Sequence, residues 1–182
     1  GYYVGNGYTQ AGRNVIGFAL CIEETAVIER LKRIIREIFQ KTPHLVLKKR
    51  KEGGKGAEIN FSCMEYYTWL FTTFGKYALK KRIPEHIKHL DKDCKVSFLQ
   101  GYLDSDGHLS VHTKGYFGME YVSANLPLLE DIQDMFLSIG MPGNITKLRD
   151  SGTAVILGVV SRQKACYHLR IGDNHTNEFC EW

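Results

Sequence analysis

The sequence predicts an α+β protein built from two related halves, each with its helices and strand pairs in the order αββαββα. Two observations predict it. A short apolar stretch ends in Asn6-Gly7, and a longer one ends in Asp106-Gly107, one hundred positions later (106 − 6). After each of them, pairs of strand-like stretches alternate in the same order with stretches whose apolar residues recur every three or four positions. Such a repeat indicates an internal duplication, and we predict halves at residues 1–95 and 96–182.

The first half contains one clearly amphipathic helix. Between 23 and 40 the apolar residues, among them Leu31 and Ile35, recur at spacings of three and four, and two glutamates lie in the first turn. Glycine-rich stretches mark the turns of the strand pairs. After the short motif that ends at Asn6, the predicted elements are strands over 8–10 and 14–22, a helix over 23–40, strands over 43–49 and 57–63, and a helix over 64–74.

The second half repeats this order from Val96. The segment 151–164 has no counterpart in the first half, and we expect it to form an additional hairpin. The other predicted elements are the motif helix, strands over 108–113 and 115–123, a helix over 126–139, strands over 144–149 and 167–171, and a final helix from about 174. Periodicity alone therefore predicts a duplicated α+β chain.

Composition and charge exclude several classes of protein. Hydrophobic residues make up 43% of the chain, yet no apolar run approaches the ~20 residues that cross a membrane, so no membrane partner is expected. The five cysteines are scattered and odd in number, which favours reduced thiols in an intracellular protein. The net charge of +4 is compatible with nucleic acid but does not require it.

The decapeptide FLQGYLDSDG at residues 98–107 is the most informative stretch. A helical run with Gly101 inside it ends in Asp104 and Asp106. Glycine inside a helix costs about 0.5–1 kcal/mol relative to alanine, which favours close approach of another backbone there. Two carboxylates at a helix end could bind a hard cation such as Mg²⁺, together with substrate phosphates. The same residues could also form a plain helix-terminating turn.

This decapeptide resembles the motif of the LAGLIDADG homing endonucleases, in the form found in intein endonucleases. The stretch from Gly1 to Gly7 resembles a second, shortened copy. The resemblance implies that paired motif helices lie at the centre of the molecule, and that antiparallel sheets form a DNA-binding saddle. It also implies a monomer with internal pseudo-symmetry that uses Mg²⁺ to hydrolyse phosphodiester bonds of a long double-stranded DNA target.

The resemblance also assigns the metal and catalytic residues. Asp106 matches the last acid of the motif, and Asp104 matches an acid to which we assign a structural role. Asn6 holds the last-acid position of the first copy, but an amide lacks the charge that holds Mg²⁺ and cannot act as a base. A naturally degenerate site, an engineered inactivation and an asymmetry in which one strand is cut poorly all remain open. The chain could therefore be inactive or a nickase.

A basic segment lies upstream of the second motif. Lys81-Arg82-Ile83-Pro84 resembles the Lys-x-Ile-Pro segment of intein endonucleases, whose lysine lies near the scissile phosphate. The resemblance implies that Lys81 is catalytic, either by stabilising charge on the phosphate or by polarising the attacking water. Without the motif downstream, the segment would be interpreted as a solvated basic turn.

Basic and amide side chains cluster on the predicted strands and turns. Because side chains alternate along a strand, several of them can share one face of a sheet. Such a face could lie in the major groove, where Arg, Lys, Gln and Asn read base edges while other lysines contact phosphates. The candidate DNA-binding residues are Gln10, Arg13, Lys48, Arg50, His112, Lys147, Arg149 and Arg170.

Two other functions remain open. Asn6 favours a DNA- or RNA-binding module without catalysis, such as a maturase. A protein-interaction domain would use its glycine-containing helices for packing alone. Because Gly1 is no splicing nucleophile and no His-Asn pair precedes the last residue, Trp182, the resemblance implies the endonuclease part of an intein without its splicing function.

Overall fold

A computed structural model describes residues 1–49, 55–111, 117–156 and 159–172, together with 176 and 179. In the first half the elements are α1 (Tyr2–Asn6), β1 (Gly7–Gln10), β2 (Val15–Cys21), α2 (Thr25–Glu37), β3 (His44–Lys49), β4 (Lys55–Ser62) and α3 (Met64–Phe74). In the part of the chain that the structure describes, no helix is long and apolar enough to cross a membrane.

A short connecting segment leads into the second half. It contains a 3₁₀ turn (Ala78–Lys80) and α4 (Glu85–Lys88). The following elements are α5 (Lys92–Asp106), β5 (Gly107–Val111), β6 (Phe117–Ser123), α6 (Leu126–Ser138), β7 (Gly143–Arg149), β8 (Gly152–Ile156), β9 (Val159–Gln163) and β10 (Cys166–Ile171). Thr176 and Phe179 are helical, at the place where the final helix is expected.

The two four-stranded sheets have the same topology. The strand order is β1-β2-β4-β3 in one and β5-β6-β10-β7 in the other, and all pairs are antiparallel. When strands are counted within each half, these are the same order once the inserted pair β8-β9 is set aside. That pair is the additional hairpin expected over 151–164. The predicted duplicated α+β fold is therefore confirmed.

The helices α2 and α6 show the duplication at the level of single residues. Each is 13 residues long. Their fourth, seventh and eleventh residues are buried in both cases: Ile28, Leu31 and Ile35 in α2, and Leu129, Ile132 and Phe136 in α6. A stripe at this spacing buries one face of a helix against a sheet, so both halves build their core in the same way.

Helix α2 is shorter than its apolar pattern predicts. It ends at Glu37 rather than at residue 40, because Gln40 adopts a left-handed backbone with a φ of 51°. Ile38, which continues the apolar pattern, is 63% exposed as a result. A left-handed residue cannot continue a right-handed helix, and this conformation carries no sequence signal at a glutamine.

The chain divides into two compact units. One comprises Tyr2–Tyr77, and the other comprises Gly1 together with Ala78–Trp182. The boundary predicted between residues 95 and 96 follows the repeat of the motifs, whereas the compact units divide ahead of the 3₁₀ turn. The reason is that the connecting segment is bound to α6, through hydrogen bonds to Asp131. The division at 95/96 stays a prediction about the duplication alone.

Helix α5 carries the second motif and begins well before it. The side chain of Asp91 accepts a hydrogen bond from the Cys94 amide at 2.9 Å and so caps the helix. The helix buries Leu99 and Tyr102. Gly1 packs on the backbone of this helix: a Cβ at Gly1 would lie 2.6 Å from the Tyr102 amide nitrogen, which is too close for any other residue.

Candidate functional site

The second motif helix delivers Asp106 directly to the start of a strand. Helix α5 ends at Asp106, and Gly107 already has the extended backbone of β5 with a φ of −88°. The junction is therefore not the plain helix-terminating turn that was the alternative interpretation of these residues. Glycine is required here for space, because a Cβ at Gly107 would lie 2.8 Å from both the Cα and the carbonyl oxygen of Leu103. The carboxylate is held at the junction of a helix and a sheet.

Asp106 is accessible and at the same time poorly hydrated. The residue is exposed to solvent. Loss of hydration among the surrounding protein atoms nevertheless raises the pKa of this carboxyl above its usual value, and the charge of Lys81 opposes that rise. A carboxylate that can be reached but lacks full hydration gains most from a nearby cation.

Lys81 is the buried cation at this site. The residue is 3% exposed. Burial lowers the pKa of its ammonium group to about 8, against the opposing attraction of Asp106. Lysine is rarely buried without a partner, and the opposite charges of Lys81 and Asp106 each favour the charged form of the other. This pair brings together two of the three residues predicted to be catalytic.

Tyr102 is a buried aromatic residue on α5, about one helical turn before Asp106. It is 1% exposed and stacks on Tyr121, with ring centroids 5.2 Å apart and an interplanar angle of 16°. Burial raises the pKa of the Tyr102 phenol, and the negative charge of Asp106 raises it further. The phenol therefore stays neutral at physiological pH.

Asn6 occupies the matching local position in the other compact unit. It ends α1, and Gly7 begins β1. A Cβ at Gly7 would lie 2.6 Å from the Cα of Tyr3, so the same steric rule governs this junction. The side chain is partly exposed. Both motif ends therefore have the same backbone design, with a carboxylate in one and an amide in the other.

The donor set at Asp106 fits a hard cation that takes further ligands from a substrate. Among the described residues, no group of three or more His, Cys, Asp or Glu side chains could hold a metal by itself. One accessible carboxylate with incomplete hydration is enough for Mg²⁺ when phosphate oxygens and water complete the coordination. Lys81, a cation, is a neighbour rather than a ligand.

The predicted DNA-binding residues lie on or beside the two sheets. Arg50 and His112 lie outside the described residues. The others are exposed: Gln10 on β1, Arg13 in the following turn, Lys48 on β3, Lys147 and Arg149 on β7, and Arg170 on β10. Strand alternation and register place Gln10 and Lys48 on the same face of the first sheet, at opposite ends of its strands.

The predicted basic residues of the second sheet are divided between its two faces. Residues 144 and 146 share a face of the sheet with His168 and Arg170. Lys147 pairs with Tyr167 and therefore lies on the opposite face from Arg170. Arg149 pairs with Cys166, beyond an irregularity in the register, and Cys166 shares the face of His168 and Arg170 by alternation along β10. The face on which a strand residue lies depends on the register, which is shifted here by an irregularity between Cys166 and Tyr167. The positions of basic residues in the sequence do not reveal this shift.

The polar faces are also less purely basic than expected. In the first sheet, Glu58 accepts hydrogen bonds from Lys48 and, at 3.0 Å, from the Tyr8 hydroxyl. In the second sheet, Glu120 lies 3.4 Å from His168 Nε2 and 3.8 Å from Arg170 Nε. Sequence reasoning missed both glutamates. Their signal was the strand alternation, which places each glutamate on the same face as a basic residue: Glu120 pairs directly with Arg170, and Glu58 lies diagonal to Lys48.

An open concavity of about 600 Å³ lies on the same polar face of the second sheet. Its walls include Asn144, Thr146, His168 and Arg170. An amide, a hydroxyl, an imidazole and a guanidinium are side chains that read base edges in the major groove. Of these four, sequence reasoning named Arg170.

Comparisons with known proteins define the class to which this fold corresponds. Residues 93–181 match the family model described as a LAGLIDADG-like domain. The homing endonuclease I-DmoI in complex with DNA and Ca is similar in structure, with a TM-score of 0.65, 13% identity, and coverage of 99% of this chain and 83% of that one. The resemblance to the LAGLIDADG family stated from the sequence is confirmed by the family match over residues 93–181, and the chain has the two-half α+β fold of I-DmoI.

Two further matches differ in kind. The N-terminal LAGLIDADG domain of DUF199/WhiA has a TM-score of 0.59 and 15% identity, and the alignment covers 99% of this chain and 75% of that one. In sequence, the chain is 30% identical over 153 residues to the DNA polymerase II large subunit of Thermococcus kodakarensis. That match covers 80% of this chain but spans only about 8% of the length of the polymerase subunit.

Proposed function

We propose that this chain is a site-specific DNA endonuclease that hydrolyses phosphodiester bonds of a long double-stranded target, with its cutting centre at Asp106 and Lys81. The observation that carries the proposal is the pair of opposite charges itself. A buried lysine with a pKa near 8 beside an accessible carboxylate is costly for stability and suited to phosphate chemistry. The solved relatives I-DmoI and I-WcaI are homing endonucleases bound to DNA, which supports the substrate class.

Each residue has a distinct role in this proposal. Lys81 places a positive charge where negative charge develops on the phosphate, and its burial strengthens that interaction. Asp106 would hold a divalent cation such as Mg²⁺, which supplies Lewis-acid activation of water and of the leaving oxygen when bound. I-DmoI was solved with Ca, Mn and Mg, which supports divalent metal use.

The first motif contributes less in this proposal. Asn6 can offer an amide oxygen to a cation, but it has no charge and accepts no proton. We therefore infer that one strand is cut faster than the other. Gln10, Lys48 and Arg170 are the predicted residues that the sheet faces favour for DNA contact, whereas Arg13, Lys147 and Arg149 are proposed to contact phosphates.

The intein context and the oligomeric state are further proposals. A match confined to about 8% of a much longer polymerase subunit is what an endonuclease inserted into a host protein would give. A single chain with two motifs needs no second copy, so we infer a monomer. A DNA substrate implies action inside the cell.

A target search tests the proposal. We expect the protein to select a long sequence from a randomised DNA library, and to cut it with Mg²⁺ but not with EDTA. Single-turnover rates for each labelled strand then measure the asymmetry. Selection without cutting of either strand would favour the second candidate, a DNA-binding protein without catalysis. Asn6 and the structural similarity to the WhiA domain are the observations that support this candidate.

A further inference from the structure

Asp131 is a buried acid with several donors around it. It lies on α6 and is 1% exposed. Its carboxylate accepts hydrogen bonds from Arg82, at 2.7 Å from Nε and 3.0 Å from Nη2, and from the amide of Ile83 at 2.9 Å. Lys88 Nζ lies 2.7 Å away. These partners hold the pKa of Asp131 below its usual value, against the desolvation that would raise it.

Asn125 binds the other side of the same segment. Its Oδ1 accepts a hydrogen bond from the Leu128 amide at 3.3 Å and caps α6. Its Nδ2 donates to the carbonyl oxygens of Ala78, at 2.8 Å, and of Lys81, at 2.9 Å. The carbonyl of Lys81, the side chain of Arg82 and the amide of Ile83 are thus all bonded to α6.

We propose that Asn125 and Asp131 are positioning residues, which fix the backbone of Lys81 so that its ammonium group stays beside Asp106. A lysine side chain has four flexible methylene groups, so a fixed backbone is needed to keep its charge in one place. Supporting hydrogen bonds of this kind set the precision of a catalytic group. A contribution of Lys81 to DNA cleavage rests on the proposed function, whereas the position of its ammonium group does not.

The comparison of the two halves supports a role beyond folding. Helices α2 and α6 have the same length and bury the same three positions. The sixth residue of α6 is Asp131, whereas the sixth residue of α2 is Arg30, which is exposed. The helix-on-sheet layer therefore forms without a buried acid at this position. The acid occurs in the compact unit that contains Lys81.

Two variants and a control test the position of Lys81 without DNA. Asp131→Asn removes the charge that binds Arg82 and Lys88. Asn125→Ser keeps a residue that caps helices well but is too short to reach both carbonyls. Asp134→Asn is the matched control, because this exposed acid lies on the same helix, 3.4 Å from Lys88. We expect acetylation of Lys81, followed by mass spectrometry at one fixed pH, to be at least fivefold faster in both variants than in the control.

Hydrogen exchange of the Ile83 amide provides a second readout for Asp131→Asn. This amide donates to Asp131, so its exchange should accelerate by at least tenfold relative to Asp134→Asn. If Asp131→Asn fails to fold, Asn125→Ser still decides the question through Lys81. Acetylation of Lys81 at the control rate in every folded variant would overturn the proposal.

Cleavage kinetics test the use of this position. We expect Asp131→Asn and Asn125→Ser to lower the single-turnover cutting rate by about ten- to a hundredfold, since small displacements of a catalytic group have effects of this size. The Kd for DNA should change by less than twofold. A loosened Lys81 with an unchanged cutting rate would overturn the positioning role. If the wild-type protein cuts no DNA, the proposed function fails, and the acetylation rates alone decide whether α6 positions Lys81.

Discussion

The two halves share a sheet topology, a buried helix stripe and a helix-to-strand junction that requires glycine, yet they differ at the tip of the motif. The second motif ends in Asp106, which interacts with the charge of the buried Lys81, and the segment that contains Lys81 is bound to α6. In the first half, the tip is Asn6, and the position equivalent to Asp131 is Arg30. Both halves therefore share the scaffold, while Lys81 and Asp106 lie together in the compact unit that comprises Gly1 and Ala78–Trp182. The two halves therefore share a fold and differ in the residues proposed to function in cleavage.

The largest expected effect is the loss of cutting in Asp106→Asn. The substitution keeps the shape and the hydrogen-bonding oxygen but removes the charge, so we expect single-turnover cleavage to fall by at least about a thousandfold. The DNA Kd should stay within a factor of three. Asp104→Asn, a matched change on the exposed side of the same helix turn, should cut at nearly the wild-type rate.

Replacing Lys81 should reduce cutting somewhat less. We expect Lys81→Met to lower the cleavage rate by about a hundred- to a thousandfold, the range seen when one preorganised charge donor is removed. The exposed neighbour Lys80 supplies the control. Equal losses in Lys81→Met and Lys80→Met would mean that general basicity, and not the buried ammonium group, matters.

We also expect Lys81→Met to change the free energy of unfolding, by an amount that depends on pH within a defined range. The folded pKa of Lys81 is about 8, because burial lowers it from 10.5. Between these values the unfolded chain binds more protons, so stability rises with pH, and the penalty for burying the charge is present in full only below pH 8. We therefore expect Lys81→Met to gain stability near pH 7, of the order of 1–3 kcal/mol.

Urea unfolding at several pH values measures this difference. The gain of Lys81→Met over the wild type should shrink steadily from pH 8 to pH 10.5. A gain that is the same at pH 7 and pH 10.5 would show that lost packing or relieved strain, and not an ionisation, explains it.

Restoring the acid of the first motif should reduce the asymmetry. We expect Asn6→Asp to raise the rate for the slower strand by about tenfold, because a carboxylate binds Mg²⁺ where an amide binds it poorly. The faster strand should change little. Asn6→Ala is the control and should not accelerate either strand. Acceleration by both variants would mean that the amide merely obstructs the site.

The smallest expected effects concern the sheet faces. We expect Lys147→Gln to reduce the slope of log Kd against log salt by about one, as loss of one phosphate contact does. Arg170→Gln should change which bases are preferred more than it changes this slope, since Arg170 lies in the polar concavity. Both changes can be measured by binding at four salt concentrations. Identical behaviour of the two variants would mean that the opposite faces of the sheet are equivalent for binding.

Much of this architecture could be predicted from the sequence, because it depends on local periodicity. The helix stripe of α6, the additional hairpin and the helix that ends at Asp106 all follow from residues near each other in the chain. The end of α2 could not, since it depends on the backbone of Gln40. The face of Lys147 could not either, since it depends on the register between β7 and β10.

The residues that position Lys81 were less predictable from the sequence than the candidate site itself. Asp106 and Lys81 were predicted from motifs, whereas Asp131 contacts residues nearly fifty positions away. One signal was available: Asp131 lies three positions after Leu128 and four before Met135, on the apolar stripe of its helix. An acid on a buried stripe needs partners that come from elsewhere in the fold. The sequence alone does not say which ones.

Exchange of the two motif tips tests the central claim most directly. The double variant Asn6→Asp/Asp106→Asn carries the same charges as the wild type but places the acid at the end of the first motif, so that Lys81 no longer interacts with a carboxylate at position 106. Single-turnover cleavage with both strands labelled should be at least tenfold slower than in the wild type, at equal DNA binding. Wild-type rates in the exchanged protein would contradict the claim that Asp106 and Lys81 form the cutting centre.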